Sequence, residues 1–170
     1  MKDEHMPDNP PSEMQLSLVS GVSNPTLLHN IISMWLDEGV LSPAEASRRV
    51  QEVIYAIVNP EEKVQGVTTA YTGELPGRSE PVWFLRMFIR NSARKASGLK
   101  NHSAFQWDAF EKTCEFLAQT TRKTHLGVVM VTENRKLWSE RWQKRLGAKG
   151  WSLLGRDPRG NIIYLLKFTK

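Results

Sequence analysis

The segment Val82 to Ile89, VWFLRMFI, constrains the chain more than any other. Seven of its eight residues are apolar, and only Arg86 interrupts them. Eight residues suit a strand, and apolar residues on both faces mean cover on both sides, so this segment belongs in the middle of a sheet. A second run of this kind, His125 to Thr132 (HLGVVMVT), lies far enough downstream for a helix to fit between the two. Strand, helix and strand in that order predict a right-handed parallel crossover over 82–132.

The remaining elements gather around this unit. Leu28, Ile31, Ile32 and Trp35 repeat at helical spacing over Pro25 to Asp37, with Gly39 as a stop. Ser42-Pro43-Ala44-Glu45 is a capping box that opens a second helix, running to about Arg49 or Glu52. Ile54 to Val58 and Val64 to Thr72 flank the turn Asn59-Pro60-Glu61-Glu62 and predict an antiparallel hairpin. Arg90 to His102 is a small, cationic loop, and Ser103 with Gln106 caps a helix that buries Trp107, Phe110, Cys114 and Leu117. Asn134 to Arg145 predicts a cationic helix, and Trp151 to Leu154 pairs with Ile162 to Phe168 around Asp157-Pro158-Arg159-Gly160-Asn161. The expected organisation is a flexible arm over 1–24, with Leu16, Leu18 and Val19 able to form a short strand, then one domain over 25–170. Its class is α/β (α+β) with a mixed sheet.

Composition excludes several function classes. Cys114 is the only cysteine of the 170 residues, so neither a disulfide framework nor a multi-cysteine zinc site is available. His5, His29 and His125 show no ligand spacing with each other or with it. No run approaches the roughly 20 apolar residues of a membrane span, and the acidic MKDEHMPDNPPSE start is unlike a secretory signal. The expected setting is cytoplasmic, with no membrane partner. Charge is divided unevenly: residues 1–80 hold 5 Lys/Arg against 12 Asp/Glu, and residues 81–170 hold 18 against 6. The basic half therefore points to a polyanion, either nucleic acid or a phosphorylated cofactor.

The order of elements and two stretches resemble the GNAT superfamily of N-acyltransferases over roughly residues 26–168. In that family a loop of the form R/Q-x-x-G-x-G/A follows the central strand. Here Ile89-Arg90-Asn91-Ser92-Ala93-Arg94 matches the approach to that loop, and Arg94-Lys95-Ala96-Ser97-Gly98-Leu99 occupies it with a single glycine. Asn134 stands where members often carry an asparagine after the second buried strand, and Gln143 where many carry the tyrosine that protonates the leaving thiolate. The resemblance implies a mostly antiparallel sheet with a central parallel crossover and flanking helices. It implies acetyl-coenzyme A, or another acyl-coenzyme A, as cofactor. Met87, Phe88 and Ile89 would hold its pantetheine arm, with Arg94, Lys95, Ala96, Ser97, Gly98, Leu99 and Asn134 contributing to the cofactor site. An amine-bearing acceptor of unknown class would then attack the thioester, with Glu80 as candidate base, Glu74 next, and Tyr71 in the acceptor cleft.

Other readings stand beside transfer to an amine. Arg135, Lys136, Arg141, Lys144, Arg145 and Lys149 are interleaved with Trp138 and Trp142, which fits nucleic-acid binding through 135–149, or DNA modification on the same scaffold. The single glycine and Gln143 fit a regulatory protein that has lost catalysis. Arg86 reads either as an ion-pair partner or as a contact for an acidic acceptor. The sequence leaves a monomer or a homodimer equally open.

Overall fold

A computed structural model describes residues 14–21, 23–96 and 102–169. Val82–Ile89 forms the central strand, β4, of a seven-stranded sheet ordered β1-β2-β3-β4-β5-β7-β6. The other strands are β1 (Gln15–Leu18), β2 (Val53–Val58), β3 (Val64–Gly73), β5 (Gly127–Thr132), β6 (Trp151–Arg156) and β7 (Ile162–Lys167). Only β4 and β5 run parallel; the other neighbouring pairs are antiparallel. This is the mixed, mostly antiparallel sheet expected from the sequence.

Helices α1 (Pro25–Asp37) and α2 (Pro43–Arg49) cover one face of the sheet. The Asn24 side chain accepts from the Leu27 amide at 3.0 Å and caps α1, and Pro25 starts it. Its buried side, Ile31, Met34 and Trp35, packs on Val53, Ala56 and Val67 of the sheet. Gly39 ends the helix with φ 65°, where a side chain would be strained. Ser42 and Glu45 make the reciprocal bonds of the capping box at the start of α2.

The opposite face carries α4 (His102–Thr121) and α5 (Glu140–Ala148). Phe110, Cys114 and Leu117 of α4 join Leu146 of α5 in one cluster with Leu85, Val128, Met130 and Tyr164. Gly127 is required by proximity, since a Cβ there would lie 2.1 Å from the Leu166 carbonyl oxygen. Among the described residues no helix is long and apolar enough to cross a membrane.

The short strand allowed within the arm at Leu16 and Leu18 forms as β1, where Leu16 packs with Ile57 and Ile89 and β1 pairs along β2. Three local expectations change. Residues 91–96, read as loop, form the short helix α3 (Asn91–Ala96), with the Arg94 amide donating to the Arg90 carbonyl. Ser103 lies within α4 rather than ahead of it. The cationic helix expected over 134–145 is divided into a 3-10 turn, Arg135–Trp138, and α5. Ser139 is extended between them, the Trp138 indole donates to the Thr132 carbonyl, and the Gln143 amide donates to the Trp138 carbonyl. Those side-chain bonds hold the break that helical periodicity alone does not show.

Candidate active site

The parallel ladder between β4 and β5 is short. It pairs Trp83 with Val128, Phe84 with Val129 and Leu85 with Met130, and stops there. Strand β4 continues to Ile89 along β3, while β5 runs on beside β7. The two strands therefore part after Leu85, and the stretch Arg86 to Ile89 has an edge without a β5 partner. Backbone groups on such an edge must be satisfied by something else.

Met87, Phe88 and Ile89 lie on this stretch. Arg94, Lys95 and Ala96 do not form a loop; they are the last residues of α3, where amides face back into the helix. The Arg94 guanidinium lies 5.7 Å from the centre of the Phe88 ring. Ser97, Gly98 and Leu99 lie outside the described residues. Arg90, the residue after β4, is already engaged. Its Nε donates to the Val64 carbonyl at 2.9 Å, and its outer nitrogens face Asp37 and Glu38 at 3.5 and 3.6 Å. Asn134 caps the 3-10 turn by accepting from the Lys136 amide.

A cavity of about 260 Å³ opens beside the same stretch of β4, on the face covered by α1 and α2. Trp35, Val40 and Leu41 form its apolar wall. The sheet supplies Val67 and Thr69 from β3 and Arg86 and Phe88 from β4, which share one face because Thr69 pairs with Arg86 and Val67 with Phe88. Arg49, the last residue of α2, completes it.

The cationic side of this cavity is held by a small network. Arg86 Nη2 donates to Glu52 Oε2 at 2.6 Å, and Arg48 Nη1 donates to Glu52 Oε1 at 2.9 Å. The Arg86 guanidinium also lies 4.3 Å from the centre of the Tyr71 ring, which stacks on Phe84 at 5.2 Å. Burial, followed by the nearby Arg49 charge, lowers the Arg86 pKa, while Glu52 works in the opposite direction. The Nε atoms of Arg49 and Arg86 are buried and have no hydrogen-bond partner among the described residues.

Tyr71 is thus on the cavity's face of the sheet, beneath Arg86, and is partly exposed. The structure does not bring Glu80 there. Glu80 lies in the bend ahead of β4, at the opposite end of the strand from Met87 to Ile89, and Glu74 lies in the loop after β3. Arg49 and Glu52 were not singled out in the sequence, although Arg48 and Glu52 stand at ion-pair spacing. Only the approach of α2 to β4 reveals that Glu52 bonds to Arg86 and that Arg49 lines the same cavity. In the basic half, Arg135 and Arg145 lie against the Trp138 and Trp142 rings, and Lys149 pairs with Glu111, while Lys136, Arg141 and Lys144 are exposed.

Over most of its length the chain superposes on solved structures of N-acetyltransferases. The chain has the GNAT fold. A GNAT family N-acetyltransferase from Escherichia coli, solved in complex with coenzyme A, superposes with a TM-score of 0.59 at 13% identity, covering 94% of this chain and 84% of that one. The aminoglycoside 6'-N-acetyltransferase from Enterococcus faecium gives 0.57 at 13% identity, covering 92% and 98%. The ribosomal-protein-S5-alanine acetyltransferase from Vibrio fischeri gives 0.54 at 12% identity, covering 89% and 91%. No protein-family model matches the sequence, and no curated protein matches it at a significant level. The GNAT likeness is therefore one of fold.

Proposed function

We propose that this protein is an acyl-coenzyme A dependent N-acyltransferase that acts by direct transfer to an amine. The parting of β4 and β5 after Leu85 carries the reading, because it leaves one edge of Arg86 to Ile89 without a strand partner beside a cavity of small-molecule size. Backbone groups of Met87, Phe88 and Ile89 would hold an extended pantetheine arm as a further strand would be held. The cofactor supplies the acyl group as a thioester.

The chain's part is placement. The acceptor amine must lie beside β4 with its lone pair free, so that a C–N bond forms as the C–S bond breaks and the thiolate leaves with the electron pair. The amine's proton passes to water or to a carboxylate. Gln143 cannot donate a proton to the thiolate, and its amide is already bonded to the Trp138 carbonyl. Protonation of the thiolate by solvent is consistent with this arrangement.

Isothermal titration of the full chain with acetyl-coenzyme A tests the proposal. Binding at micromolar concentration, with thiol released when an acceptor amine is added, is the expected result. An absence of heat through the high micromolar range overturns it.

A further inference from the structure

The cavity beside β4 is lined mainly by apolar side chains, with Thr69 and two arginines as its polar members. Trp35, Val40, Leu41 and Phe88 provide a surface for an apolar group, and Arg49 and Arg86 supply the cations. Guanidiniums repel one another, and proteins usually place acidic groups between them. Here Arg48 and Arg86 share the single carboxylate of Glu52. Arg49 makes no ion pair at contact distance among the described residues; the Glu45 carboxylate, one turn earlier on α2, acts on it through space.

The hydrogen-bond inventory points the same way. Arg86 uses Nη2 on Glu52, yet its buried Nε has no partner; Arg49 Nε is also buried and without one. A buried donor left unbonded is costly, and both arginines that carry one line the cavity. The Nε and Nη donors of one arginine form a planar fork that matches the two oxygens of a carboxylate. The volume of about 260 Å³ lies near the lower limit of small-molecule sites, about 300 Å³, and suits one compact metabolite better than a polymer segment.

We propose that this cavity is the carboxylate subsite of the acceptor, so that the amine acylated is an amino acid with an apolar side chain. Arg49 and Arg86 hold its carboxylate, and Trp35, Val40, Leu41 and Phe88 take its side chain. Glu52 and Tyr71 are positioning residues. Glu52 fixes Arg86 from the side, and the Tyr71 ring supports its guanidinium from below. The inference rests on the acyltransferase reading for the identity of the ligand as acceptor, but the subsite itself can be measured without the cofactor.

Titrating the full chain with N-acetyl-L-leucine and with N-isopentylacetamide separates the two ideas. The second compound is the first without its carboxylate. The expected result is binding of N-acetyl-L-leucine at least about tenfold tighter, with that difference lost in Arg49→Gln. Arg49→Lys keeps the charge without the fork and is expected to lose most of the preference, so the test survives if one variant fails to fold. Equal binding of the two compounds, binding of neither, or a preference unchanged in folded Arg49→Gln each overturns the subsite. Separate titration with acetyl-coenzyme A distinguishes the failures. Cofactor binding without carboxylate preference leaves the transferase reading and removes the subsite, whereas carboxylate preference without cofactor binding does the reverse.

Discussion

Arg86, the only charged residue of the central strand, is joined to Glu52 by a 2.6 Å bond that links the middle of the sheet to the turn following α2. The Glu52 side chain is only 16% exposed and serves two arginines, so its negative charge is shielded from water on both sides. One contact thus fixes the angle at which α2 meets the sheet and the direction of the guanidinium at the cavity.

Glu52→Gln is expected to destabilise the fold by about 1–3 kcal/mol, because it leaves the Arg48 and Arg86 charges without a carboxylate. In a chain of this length that corresponds to a fall of roughly 2–12 °C in melting temperature. Thermal unfolding followed by circular dichroism measures it. An unchanged melting temperature would show that the pair is a surface contact of no consequence.

A buried relay crosses from β3 to α4. The Tyr55 amide donates to Thr68 Oγ1 at 3.2 Å, Thr68 and Thr113 hydroxyls lie 2.8 Å apart, and Thr113 Oγ1 donates to the Ala109 carbonyl at 2.8 Å. Since the Thr113 proton is used on Ala109, Thr68 donates to Thr113. Thr113→Val removes that acceptor and should cost about 1–3 kcal/mol, while the double variant with Thr68→Val should cost less than the sum of the two singles. Urea titration of the four proteins checks this, and strict additivity would refute the relay.

Burial pushes the Cys114 thiol up from 9.0 to about 12, with Glu111 and Glu115 adding to the effect. The thiol is therefore protonated in the native state, and modification by a thiol reagent at pH 8 is expected only after unfolding. The sign for stability follows from linkage. The unfolded thiol loses its proton first as pH rises, so the contribution present below pH 9 is lost between pH 9 and about 12. Denaturation midpoints measured across this range for the native chain and for Cys114→Ala should converge as the contribution disappears.

Most of the secondary structure was legible because it depends on local signals. The Ser42–Glu45 box, the proline at the start of α1 and the run at 82–89 each specify an element through neighbouring residues, and each formed as expected. The helix expected over 134–145 was misread because its break depends on the Trp138 indole reaching the Thr132 carbonyl. Of the candidate site, the sequence named Met87 to Ile89, which lie on the parted stretch of β4, and did not name the charged residues gathered at the cavity. Glu80 is close to the central strand in sequence and stands at the end of it away from the cavity, whereas Glu52, distant in sequence, bonds to Arg86 and Arg49 lines the same cavity.

The sequence by itself determined that this chain builds a mixed sheet around VWFLRMFI, since an apolar segment of strand length with polar turns on both sides has few other ways to leave water. It also determined that the single cysteine would lie in the core. Only the tertiary structure decided where β4 and β5 part, and which charges gather at the cavity. Those outcomes depend on strand register and on how a helix packs across a sheet, and both are set by contacts between residues far apart in the chain. Arg86 shows the division plainly: its place in an apolar strand was visible from eight letters, and its partners were not.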